Sequence, residues 1–116
     1  MTTLEDLLNG HCFERPKGSP TLTPERVAEL LPLVPDWELG ADGQSIVMKR
    51  RTDGFSAAAM LLVKIAAAAD EEDHHPDVRI YGYRWLELTL TTHSIGGLSD
   101  NDFILAAKLN RLLQQL

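Results

Sequence analysis

The chain has 116 residues, 44% of them hydrophobic and 24% charged, which fits one ordinary globular domain. A net charge of -6 disfavours nucleic-acid backbones and anionic membrane surfaces, which need a basic face, and the longest apolar run, Ala57–Val63, is far too short to cross a bilayer. The single cysteine, Cys12, excludes an intramolecular disulfide, and the first ten residues carry acids in place of a basic leader region, so a cytoplasmic protein is expected.

Residues 1–21 read as an irregular arm. Leu4–Leu8 could form one helical turn, stopped by Asn9-Gly10, and Pro, Gly and Ser follow. His11 and Cys12 have no second ligand pair nearby, so they are not read as a metal site. Residues 22–116 form the predicted domain. Its first helix starts at Thr23, a good N-cap, with Pro24 at the first helical position and Glu25 near the positive end of the dipole. Pro32 and Pro35 end it. Asp42-Gly43 then separates two extended runs, Trp37–Leu39 and Ser45–Arg50, as a hairpin.

Asp53-Gly54 breaks the strand, and a long helix is expected over 55–72. It is apolar nearly all round. A helix lying on one sheet needs one apolar stripe, so the second face is expected to meet a partner subunit. Asp73-His74-His75-Pro76 ends the helix. Asp77–Ile80 reads as a short strand, and Leu86, Leu88 and Leu90 alternate with Trp85, Glu87 and Thr89 as a strand with two unlike faces. Ser94–Leu98 is a loop. Ser99-x-x-Asp102 matches a capping box opening the last helix. The order α-β-β-α-β-β-α predicts an α+β domain: a four-stranded antiparallel sheet with three helices packed on one face.

The stretch from Asp70 to Asp102 holds three of the four histidines, His74, His75 and His93. Adjacent histidines on a turn cannot chelate one metal from the same face. A metal site assembled in three dimensions stays open, but acid/base work suits these residues better, because imidazole gives and takes protons near neutral pH. The plainer alternatives are a hydrogen-bonded surface role for His93 and a simple capping role for Asp102. The acids Asp70, Glu71, Glu72 and Asp73 sit at the unfavourable end of a helix dipole, so they are either solvated or paired.

These residues carry a resemblance. Asp70, three spacers, His74-His75-Pro76, six spacers, Tyr83, nine spacers, His93, eight spacers and Asp102 resemble the pattern of the pterin-4a-carbinolamine dehydratase family. The scaffold does too: LTPERVAELLPLVPDWEL resembles the family's first helix and strand, and the likeness runs from about Leu22 to Leu113. The resemblance implies the fold described above and a homodimer or dimer of dimers. It implies dehydration of 4a-hydroxytetrahydropterin to quinonoid dihydropterin, without a metal or bound cofactor. His74 and His93 would be the acid/base pair, His75 would position the pterin and Asp102 would support the site. Asp70, Pro76, Tyr83 and Thr92 would lie against the substrate.

Two features point to a branch of that family. The spacer from Pro76 to Tyr83 has six residues where five is commoner, which predicts a register shift or bulge beside the pterin pocket. The segment THSIGGLSDNDFILAAK resembles dehydratase-like proteins that assist RuBisCO assembly, including with α-carboxysomes. The branch implies a chaperone-like assembly factor in carbon fixation, with RuBisCO subunits as partners, carboxysome association, and dehydratase activity in question. The family at large implies a working lyase. Both remain open on the residues alone.

Overall fold

The computed structural model describes all 116 residues. Four strands form one antiparallel sheet: β1 (Glu38–Leu39), β2 (Ile46–Arg51), β3 (Asp77–Tyr81) and β4 (Trp85–Leu90), in the spatial order β1-β2-β4-β3. Four α-helices accompany them: α1 (Leu4–Asn9), α2 (Pro24–Leu30), α3 (Phe55–Glu72) and α4 (Asp100–Gln114). The α+β architecture is the expected one, with one more helix than the three predicted.

The extra helix is α1. Thr3 Oγ1 accepts the Asp6 N–H and Asp6 Oδ2 accepts the Thr3 N–H, a capping box that makes a six-residue helix start cleanly. Leu7 then buries itself in the main core. The N-terminal segment is therefore packed, with irregular backbone between α1 and α2.

The period-two pattern sets the layers. Ile46 and Met48 of β2 and Leu86, Leu88 and Leu90 of β4 point into the core, where they meet Leu30, Val34, Ile65 and the α4 residues Phe103, Leu105 and Leu109. The opposite sheet face carries Arg79, Glu87 and Lys49 as an ion-paired row, with Tyr81 stacked on Trp85. Helix α4 is the central helix: Asn101–Ala107, Leu109, Asn110 and Leu113 are all buried. Its C-terminal half is fixed by a buried polar link, in which Trp37 Nε1 donates to Asn110 Oδ1 and Asn110 Nδ2 donates to the Pro35 carbonyl. Helix α3 buries only the stripe Ala58, Ile65, Ala69 and Glu72, and leaves Phe55, Met60 and Val63 exposed.

The six-residue spacer produces neither a bulge nor a slip, contrary to expectation. Strand β3 pairs with β4 residue for residue from Asp77↔Thr89 to Tyr81↔Trp85. The strand runs one residue past Ile80, and the connection Gly82–Arg84 holds the rest. Gly82 and Tyr83 both take left-handed φ values, 53° and 55°. Two such residues in succession twist a hairpin connection the way the strands require, so the turn takes up the extra length.

Candidate functional site

The site forms where α3 stops. Asp73 adopts a left-handed conformation, φ 50°, and its N–H donates to the carbonyls of Ala69 and Asp70. The His74 N–H also donates to the Ala69 carbonyl. This cap turns the chain sharply, and Pro76 keeps it extended into β3. His74 and His75 are thereby delivered to the end of the sheet where β4 stops at Leu90 and the chain continues through Thr91, Thr92 and His93.

His74 and Asp102 form the tightest contact there. His74 Nε2 lies 2.6 Å from Asp102 Oδ1, and the Asp102 side chain is 0% exposed. The other carboxylate oxygen, Oδ2, accepts from the Ser99 N–H at 3.0 Å and from Thr92 Oγ1 at 2.9 Å. Asp102 therefore caps α4 with one oxygen and holds a histidine with the other. The capping reading left open by the sequence is observed, and the same carboxylate also contacts His74. A carboxylate only accepts, so Nε2 carries the hydrogen of this contact and Nδ1 is the nitrogen left for other partners.

The remaining histidines are looser. His75 Nε2 is 2.9 Å from Asp70 Oδ1, with both side chains mostly exposed. His93 opens a short 3-10 turn, His93–Ile95, and its side chain is 70% exposed, 4.0 Å from Asp77 Oδ2. Each histidine thus has its own carboxylate. No group of three or more His, Cys, Asp or Glu side chains is gathered as a set of metal ligands.

A cavity of about 510 Å³ connects these groups. His74, His75, Thr92 and His93 line it, with Asp102 directly behind His74. Asp70 reaches it only through His75. Pro76 shapes the turn but does not line the cavity, and Tyr83 stands at the opposite end of the β3–β4 hairpin. Five of the eight predicted residues are therefore brought together.

Several lining residues were missed. Cys12, Phe13, Glu14 and Arg15 of the N-terminal arm form one wall, and Glu72 and Asn101 another. Glu72 is buried. Its Oε1 accepts the Cys12 N–H at 2.7 Å, and its Oε2 lies 2.7 Å from Lys108 Nζ and 3.0 Å from His11 Nδ1. Burial alone would raise this carboxyl; the Lys108 ammonium, the Cys12 amide and His11 outweigh it and hold it down at about 2. Burial and the Glu72 charge push the Cys12 thiol up to about 12. Asn101 pairs with both backbone groups of Phe13, donating from Nδ2 to the carbonyl at 2.7 Å and accepting the N–H at 3.3 Å. The one available signal was the acid run 70–73 at the wrong end of a helix: Glu72 is the member that is buried, and it pairs with Lys108 and His11.

Comparison with known proteins identifies the family to which this fold and chain belong. Residues 20–112 match the family model described as pterin 4 alpha carbinolamine dehydratase. A Xylella fastidiosa (strain 9a5c) protein named "Putative pterin-4-alpha-carbinolamine dehydratase" is 40% identical over 99% of this chain and 98% of its own length. A protein of the same name from Stenotrophomonas maltophilia (strain R551-3) is 40% identical over 100% of this chain and 99% of its own. A crystal structure from Brucella melitensis, described as a transcriptional coactivator/pterin dehydratase, superposes with a TM-score of 0.72 at 28% identity, covering 80% of this chain and 98% of that one. With a family model spanning the sheet and its helices, and relatives alike along nearly the whole length, the chain belongs to the pterin 4 alpha carbinolamine dehydratase family.

Proposed function

We propose that the protein dehydrates 4a-hydroxytetrahydropterin to quinonoid dihydropterin and water. The observation that carries this reading is the His74–Asp102 pair at 2.6 Å, set in a cavity that His75 and His93 also line. The reaction moves protons only. A base takes the proton from the ring nitrogen, the carbon–oxygen bond breaks, and an acid protonates the departing hydroxyl, which leaves as water. One group must give and one must take, and positioned imidazoles do both near neutral pH.

His74 and His93 serve as the acid/base pair. Asp102 orients His74 through Nε2 and leaves Nδ1 for the substrate, while Thr92 steadies Asp102 from behind. His75, held by Asp70, positions the pterin. Tyr83 and Pro76 take no direct part. The test is the appearance of quinonoid dihydropterin from 4a-hydroxytetrahydropterin generated in place, against the spontaneous rate. The chain accelerates it, and His74→Ala and His93→Ala each lose roughly 10²–10⁴-fold. A rate equal to that of buffer overturns the proposal.

A binding role in RuBisCO assembly, with carboxysome association, is the second reading. Its support is the likeness of residues 92–108 to that branch. The six-residue spacer no longer adds to it, because β3 keeps its register and the turn lies away from the cavity. Co-expression with RuBisCO subunits decides it: an unchanged yield of assembled enzyme and no co-purification remove this role.

A further inference from the structure

We propose that Phe13 and Arg15 of the N-terminal arm form the platform on which the substrate's flat ring stacks. This rests on the pterin reading above and adds the residues that recognise the ring.

The arm is fixed with unusual care for a segment without regular structure. Buried Glu72 holds the Cys12 amide, and buried Asn101 takes both backbone groups of Phe13. Asn101 Oδ1 also accepts from Arg15 Nη2 at 3.1 Å. Yet the Phe13 side chain that this clamp presents is 61% exposed. Anchoring a backbone while leaving its large apolar side chain in water does nothing for the core. It makes sense if the ring meets a ligand.

The Arg15 guanidinium sits over the Phe13 ring, 3.8 Å from its centroid. Arg15 Nε is buried and has no acceptor, a cost that stability of the arm does not explain. Guanidinium over phenyl brings two planar groups together, and such groups attract flat conjugated rings through dispersion and the cation–π term. The rest of the cavity is polar: histidines, threonines, acids and Ser94. Those side chains move protons and form hydrogen bonds but offer little flat apolar surface. A fused bicyclic pterin needs one, and Phe13 with Arg15 supplies it.

The experiment measures binding of 7,8-dihydropterin and dehydration kinetics for the full chain and for Phe13→Leu, Phe13→Tyr, Arg15→Met and Arg15→Lys. Phe13→Leu weakens dihydropterin binding and raises KM by roughly 5- to 150-fold, the usual worth of one aromatic stack, with kcat within about threefold. Phe13→Tyr retains wild-type affinity, and Arg15→Lys is weaker than wild type because a flat group is lost while the charge stays. Thermal unfolding confirms that the variants fold. Affinity and KM within twofold of wild type for both Phe13→Leu and Arg15→Met overturn the platform while leaving the dehydratase reading standing. Phe13-dependent binding without turnover supports the platform and refutes the dehydratase. No dihydropterin binding by the wild-type chain overturns both.

Discussion

His74 and Asp102 are 28 positions apart in sequence and 2.6 Å apart in space, and the aspartate that contacts the histidine also caps the helix that fills the core. The helix cap and the histidine contact therefore share one side chain. Thr92 Oγ1, the Ser99 N–H and His74 Nε2 all donate to the same buried carboxylate. Asp102→Asn is isosteric but presents an NH₂ group where one of two acceptors stood. It is expected to lower stability by about 1 kcal/mol through the weakened cap. It should lower kcat by about 10²-fold or more through misplacement of His74. Urea unfolding and the dehydration assay measure the two effects separately, and an unaltered kcat would remove the positioning role.

Glu72 makes stability depend on acid. Its folded value of about 2 lies below its ordinary 4.5, so the unfolded chain binds the extra proton first. The contribution is fully present above about pH 4.5, shrinks as pH falls and is gone below about 2. At neutral pH it is on the order of 3 kcal/mol. Urea unfolding of wild type and Glu72→Gln across pH 2–7 should show a gap that closes toward the acid end. A gap independent of pH would contradict the paired-carboxylate account.

Cys12 should be inert despite lining the cavity. A thiol held at about 12 has almost no thiolate at neutral pH. Alkylation by iodoacetamide is expected to be on the order of 10³-fold slower in the native protein than in urea. Glu72→Gln should speed it, because the neighbouring negative charge is gone. Equal rates in native and unfolded protein would show that the arm does not hold the thiol as described.

The exposed apolar side of α3 predicts self-association. Phe55 is 64%, Met60 67% and Val63 70% exposed, on a helix whose other side is well packed. A homodimer or dimer of dimers that covers these residues would remove them from water. Light scattering after size exclusion should give more than one chain per particle. Met60→Glu with Val63→Glu should shift the mass downward by opposing desolvation. A monomeric wild type at micromolar concentration would refute the expectation.

Local signals carried most of the fold. The range 55–72 for α3 was legible from helical spacing bounded by Asp53-Gly54 and by His75-Pro76, because breakers and caps act within a few residues. The inward face of β4 was legible because side chains alternate strictly in a strand. Helix α1 was read as only one turn because its stability comes from Leu7 reaching a distant core, although the Thr3-x-x-Asp6 cap stood in the sequence. The spacer before Tyr83 was misread for a related reason: a length difference does not say whether a strand or a turn absorbs it. Two left-handed residues at the tip decided for the turn.

For the site, the sequence by itself singled out His74, His75, His93 and Asp102 as candidates, through the family pattern that their spacing resembles. Only the tertiary structure decided their partners and their enclosure. It gave Asp102 two jobs, placed Tyr83 outside the cavity, and brought Phe13 and Arg15 in from 88 and 86 positions away through Asn101. The physical reason is range. Caps, turns and strand alternation are written in near neighbours. A carboxylate's choice of partner depends on which distant donors the packed core leaves at 3 Å, and that distance exists only after the chain has folded.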